Sequence, residues 1–166
     1  MKKLIATLLV LTLCMTMGAA MADTMGLGMV TSISSTSATT EKDGTIQIST
    51  TACAVTLDAD GKIVSIQFDV MQSPKVGVTA AGEIADTAEA DLRTKVEKGD
   101  DYAMRAASPI GKELNEQVEV LQNYCIGKTA EEAAAGFEAD ADAKAGCTIH
   151  VDDFFAALTK AAANAK

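Results

Sequence analysis

From Cys53 to Val70 the chain reads with a period of two. Cys53, Val55 and Leu57 alternate with small or polar residues, Asp58, Ala59, Asp60 and Gly61 make a turn, and Ile63, Ser65 and Gln67 then run on the face opposite Val64, Ile66, Phe68 and Val70. Alternation of this kind sends successive side chains to opposite faces of a pleated strand, so the segment is an antiparallel hairpin with one buried face. The stretch before it, Leu27 to Ser49, is Ser, Thr and Gly with scattered Met, Val and Ile, interrupted by Glu41, Lys42, Asp43 and Gly44. It predicts an edge hairpin of Thr-rich strands, exposed on one face, and makes the whole an antiparallel meander. Gln72 to Asp86, with Pro74, Gly77 and Gly82, reads as a long ordered loop.

Helical spacing takes over downstream. Thr87 to Lys98 predicts a short helix with Leu92 and Val96 on one side, ending at Gly99. Ser108 and Pro109 form an N-cap and first-turn pair, after which Leu114, Val118, Leu121 and Cys125 repeat at helical spacing up to Gly127. Thr129 and Glu132 make a capping box for another short helix that runs out at Gly136. Glu138 to Lys144 reads as an acidic, alanine-rich linker and Thr148 to Val151 as extended. Asp152 then caps a last helix containing Phe154, Phe155, Leu158 and a run of alanines. Strands first and helices after define an α+β fold, an N-terminal antiparallel β meander packed with C-terminal helices, in a single domain over residues 23–166.

The first three residues, Met1, Lys2 and Lys3, precede an uncharged stretch from Leu4 to Ala22 that ends in Ala20, Met21 and Ala22. A basic start, an apolar middle and a small-residue cleavage site predict a secretory signal peptide over residues 1–22, and therefore a secreted or cell-envelope protein. An uncleaved anchor is disfavoured by Thr7, Thr12, Thr16 and Gly18 within the run and by the absence of Lys or Arg until Lys42. Leu13 before Cys14 likewise speaks against a lipoprotein. The formal net charge is −9 and becomes more negative when the leader lysines are removed. Such a chain repels phosphate backbones and anionic lipid, so neither nucleic acid nor membrane insertion after signal cleavage is expected. Cys53, Cys125 and Cys147 allow at most one internal disulfide, and without a C-x-x-C neither a zinc knuckle nor a thioredoxin-type site is expected.

Little else in the chain suggests chemistry. His150 is the sole histidine and is followed by Asp152 and Asp153, but no Gly-x-Ser-x-Gly elbow accompanies it. Asp58, Asp60 and Gly61 are explained by a hairpin turn, because the downstream Glu of a calcium loop is missing. The remaining candidate is Asp142, Ala143, Lys144, Ala145, Gly146, Cys147, Thr148, directly before the last helix.

That segment resembles the flavinylation motif of the FMN-binding domain family, Asp-x-x-Ser-Gly-Ala-Thr before a helix. Asp142, Gly146 and Thr148 agree with it, while Ala145 and Cys147 replace the family's Ser and Ala. The resemblance extends to the turn at Asp60, Gly61 and Lys62. It also takes in a middle segment with Thr94, Lys95, Glu97, Gly99, Asp100, Tyr102, Met104, Ser108, Gly111, Lys112, Glu113 and Gln117 that looks like exported bacterial proteins of this kind. It implies FMN attached through its phosphate to Thr148, with Gly146, Asp142, Cys147 and His150 around the cofactor. It further implies a flavin transferase and envelope redox proteins as partners, and an electron carrier more than a stand-alone enzyme. Thr148 and His150 would share one face of an extended segment. Tyr102, Tyr124, Phe68 and Phe154 are the aromatic side chains on offer to a flavin ring. Asp152 and Asp153 oppose a phosphodiester at the helix start, and with Ala145 and Cys147 they favour the alternative of a non-catalytic secreted domain that binds another ligand or a protein.

Overall fold

In a computed structural model the described residues are 23–85, 87 and 90–166. The expected signal peptide lies outside them. Three long strands, β1 (Thr24–Thr36), β2 (Gly44–Leu57) and β3 (Ile63–Gln72), form an antiparallel sheet in the order β1-β2-β3, and a fourth, β4 (Val76–Val78), pairs with the start of β2 beyond the end of β3. β4 falls inside the stretch expected to be a loop. Its three residues pair with Gly44, Thr45 and Ile46, which β3 leaves free.

The helices are α1 (Lys95–Lys98), α2 (Leu114–Cys125), α3 (Ala130–Gly136), α4 (Ala141–Gly146) and α5 (Asp152–Ala163), with 3-10 turns at Gly99–Tyr102 and Phe137–Ala139. The α+β architecture thus follows the order of periodicities in the sequence. One face of the sheet buries Cys53, Val55, Leu57, Ile63, Ile66, Phe68 and Val70. α2 covers it with Leu114, Val118, Leu121 and Cys125, and α5 with Phe154, Phe155, Ala157, Leu158 and Ala161. Aromatic edges tie the layers together: Phe68 meets Phe154 at 5.3 Å between ring centres, and Phe137 meets both Tyr124 at 5.3 Å and Phe155 at 5.6 Å.

The approach of α5 to β1 is closer than side chains normally permit. Gly26 and Gly28 face the helix, and a Cβ on them would lie 1.9 Å from the Ala161 carbonyl oxygen and 2.1 Å from that of Ala157. The small side chains of Ala157 and Ala161 complete this backbone-to-backbone contact. Asn164 Nδ2 and Lys160 Nζ then donate to the Leu27 and Met29 carbonyls, and Lys166 pairs with Met25 through both backbone bonds. The end of α5 thereby shields half of the β1 edge.

Four local expectations are corrected. Of the helix expected over Thr87–Lys98, residues 90–94 are not helical and α1 begins at Lys95, where Thr94 and Glu97 form a capping box, while Leu92 is exposed. α2 starts at Leu114 rather than after Ser108: Gly111 closes a turn with φ +63°, a left-handed conformation that no helix contains, and Glu113 caps instead. The acidic linker is largely helical, since Asp140 accepts from the Ala143 amide and starts α4 on alanines of high helix propensity. Thr148–Val151 is not a strand but bends at Ile149, and Asp152 is the first residue of α5 rather than its cap, that position being Val151.

Candidate functional site

Three elements enclose a cleft of about 330 Å³: the middle of the sheet, the connection from α1 to α2, and the start of α5. Val70, Leu114 and Phe154 form its apolar floor, Tyr102 and Met104 one wall, and Ile149, His150 and Asp153 another. Ser32, Ser49 and Thr51 provide hydroxyls along the sheet, and Lys95 is the cation, with its ammonium 5.1 Å from the Tyr102 ring centre. A cleft with an apolar floor, an aromatic wall and a few convergent polar groups is the usual form of a small-molecule site.

Two buried polar side chains hold the walls. Glu113, 2% exposed, accepts hydrogen bonds from the Met104 amide at 2.9 Å and the Arg105 amide at 2.8 Å, while its own amide donates to Glu116. A buried carboxylate satisfied by amides fixes the wall at Met104. It also offsets the cost at Ala103, whose φ of +57° is left-handed without being glycine. Gln117, fully buried, does the same for the opposite wall. Its Oε1 accepts from the Thr148 amide at 2.8 Å and from the Thr148 hydroxyl at 3.2 Å. Its Nε2 donates to Ser108 Oγ and the Lys112 carbonyl, each at 3.2 Å. One amide group therefore joins the α1–α2 connection to the segment before α5.

The motif residues separate around this frame. His150 lines the cleft, and Thr148, exposed to solvent, lies two residues from it with its hydroxyl turned onto Gln117. Because the chain bends at Ile149, neighbouring Ile149 and His150 both face the cleft. Asp142 is exposed on α4 and borders a different hollow, with Lys128 and Asp140, so it does not join His150. Gly146 is required by packing, since a Cβ there would come within 2.9 Å of Val120 Cγ1.

Cys147 is fully buried, and burial raises its thiol above the ordinary value. Cys53 and Cys125 are buried too, both pushed up to about 12 chiefly by desolvation, and all three cysteines are free thiols. Of the four aromatic candidates, Tyr102 and Phe154 reach the cleft, whereas Tyr124 borders the hollow at Lys128 and Phe68 packs in the core. Glu113 and Gln117 were visible only as members of the middle segment; their burial had no sequence signal. Among the described residues no group of three or more His, Cys, Asp or Glu side chains could hold a metal ion, and no helix is long and apolar enough to cross a membrane.

The fold is an α+β domain with one helical layer on an antiparallel sheet, and the cleft opens between the two layers. The chain is similar to a curated chlorophenol reductase of Desulfitobacterium hafniense, 30% identical over 128 residues. The match covers 71% of this chain but only 38% of the relative's length. No family model matches the chain, and no solved structure matches it.

Proposed function

We propose that this is an exported flavin-carrying domain, with FMN tethered through Thr148 and its ring in the adjoining cleft, acting as an electron carrier in the cell envelope. The observation that carries this reading is the position of Thr148. The residue is exposed, with its hydroxyl on Gln117 Oε1, and the segment that follows it forms one wall of a cleft containing Tyr102, Phe154 and His150. The residues would fit the group: Val70, Leu114 and Phe154 would floor a flat ring, Tyr102 would wall it, and Lys95 would be the cation to hold negative charge on it. Bound FMN would supply one- and two-electron transfer. The protein's share is to hold the ring and limit water through Met104 and Phe154, and to present His150 as a proton donor or acceptor at the rim. Similarity to a reductase supports redox chemistry but extends to little over a third of that protein. Covalent attachment also suits an exported carrier, because dissociated FMN would be lost.

Co-expression with a flavin transferase tests the proposal. The mature protein should run as a fluorescent band on a denaturing gel, with a mass increased by one FMN, and Thr148→Ala should remove both. A colourless protein of unmodified mass sinks it. A second reading, an exported domain that binds another small ligand or a protein without covalent cofactor, is favoured by the Thr148 hydroxyl being committed to Gln117 and by Asp153 standing in the cleft wall. It predicts that the protein remains unmodified beside an active transferase.

A further inference from the structure

An antiparallel sheet with one covered face normally turns polar side chains to water on the other. Here β1 is inverted. Its glycines, Gly26 and Gly28, face α5, and of its large apolar residues only Val30 packs inward, while Met25, Leu27, Met29 and Ile33 point away and are 70%, 55%, 54% and 69% exposed. On β2, Ile46 and Ile48 extend the patch at 42% and 44% exposed. The hydrogen-bonded Thr31–Thr50 pair divides the face into two apolar parts, Met25 to Met29 on one side and Ile33, Ile46 and Ile48 on the other. Exposed apolar area on this scale marks an interaction surface.

We infer that this face binds a second copy of the same chain, sheet on sheet about a twofold axis. Its shape is self-complementary. Leu27 pairs with Ala54 and Met29 with Ala52, so a ridge of long side chains on β1 runs beside a groove of alanines on β2. A twofold axis seats each copy's ridge in the other's groove, as an isologous contact requires.

Charge selects the same partner. The outward residues of β1 and β2 are Met, Leu, Ile, Ala, Thr and Ser with no charged member, in a chain of net charge −9. The carboxylate next to the groove is Asp69 of β3, beside Ala52, and its Oδ1 is engaged by the Val70 and Val96 amides, so the strands that would meet bring no free charge against each other. Thirteen residues at about 3.4 Å each, on two strands about 4.8 Å apart, give a footprint of roughly 45 by 10 Å. Protruding side chains enlarge this, and two copies reach about the 1,000 Å² that a specific interface needs.

Sedimentation velocity on the purified exported protein, from micromolar to near-millimolar concentration, tests the inference. A monomer–dimer equilibrium is expected that tightens with added salt as repulsion elsewhere is screened. Leu27→Glu should weaken dimerisation at least 100-fold, and Ala54→Trp, which fills the groove without adding charge, should weaken it similarly. Far-UV circular dichroism should be unchanged for both, because these side chains are exposed. A wild-type protein that stays monomeric throughout overturns the inference, as does wild-type affinity in Leu27→Glu or a dimer that dissociates as salt is raised.

Discussion

Substituting Gly28 by Ala tests the contact that sets the whole helical layer. The added Cβ would stand 2.1 Å from the Ala157 carbonyl oxygen and 2.5 Å from the Ala161 amide nitrogen. Ordinary C···O contacts lie near 3.3–3.6 Å, so α5 must retreat by about 1 Å. Both obstacles are backbone, and no rotamer change relieves them. A radial gap of that size forfeits roughly a quarter to a half of the dispersion energy along the lifted surface. That surface carries Phe154, Phe155 and Leu158.

Overpacking of this kind costs about 3 kcal/mol. The lower unfolded-state entropy of alanine returns only about 0.5–1 kcal/mol, so destabilisation wins. The net loss of about 2–2.5 kcal/mol corresponds to a thermal midpoint lower by roughly 6–10 °C in a domain of this size. Urea unfolding followed by circular dichroism measures it, with Gly77→Ala as the control, because a Cβ there meets only Ala85 Cβ at 3.5 Å. If Gly28→Ala lies within about 0.5 kcal/mol of the wild type, the close-approach reasoning is wrong. Asp153 and Phe154 enter the cleft from α5, so the same substitution should also reshape the cleft.

Other outcomes follow from the buried polar groups. Glu113→Ala leaves the Met104 and Arg105 amides without their acceptor and should cost about 3 kcal/mol in urea unfolding, Glu113→Gln distinctly less. Gln117→Leu keeps the volume but removes the acceptor for Thr148, and hydrogen exchange at the Thr148 amide should accelerate about tenfold or more relative to the α2 core. Cys53 and Cys125 should resist iodoacetamide in the folded protein and react on unfolding. Their folded values, raised from 9.0 to about 12, mean that the unfolded chain loses these protons first; stability is therefore full below pH 9 and declines as pH rises from about 9 to about 12. Denaturant midpoints across that range check the sign.

Much of the fold was legible because its signals are local. Alternation around Asp58–Gly61 placed β2 and β3, and the repeat of Leu114, Val118, Leu121 and Cys125 placed α2. Where local signals competed, the reading failed. Ser108-Pro109 carries a helix-start signature, yet Gly111 turns left-handed three residues later and moves the start to Leu114. Of the residues named with the motif, the structure puts His150 in the cleft wall and Thr148 two positions before it. The motif's Gly146 instead answers to the packing of α4 against Val120, and Asp142 borders another hollow.

The sequence by itself determined that strands come first and helices after, and which face of β2 and of β3 from Ile66 on is buried, since strand and helix periodicities are written residue by residue. At the start of β3 a register shift opposite Thr56 and Leu57 instead buries Ile63 and exposes Val64. Only the tertiary structure decided that the glycines of β1 turn inward and Met25, Leu27, Met29 and Ile33 outward, because that depends on how closely α5 approaches. It also decided that Gln117 binds Thr148, 31 residues away, and so joins the two walls of one cleft. A hydrogen bond between distant segments has no period, and nothing in the neighbourhood of either residue announces its partner.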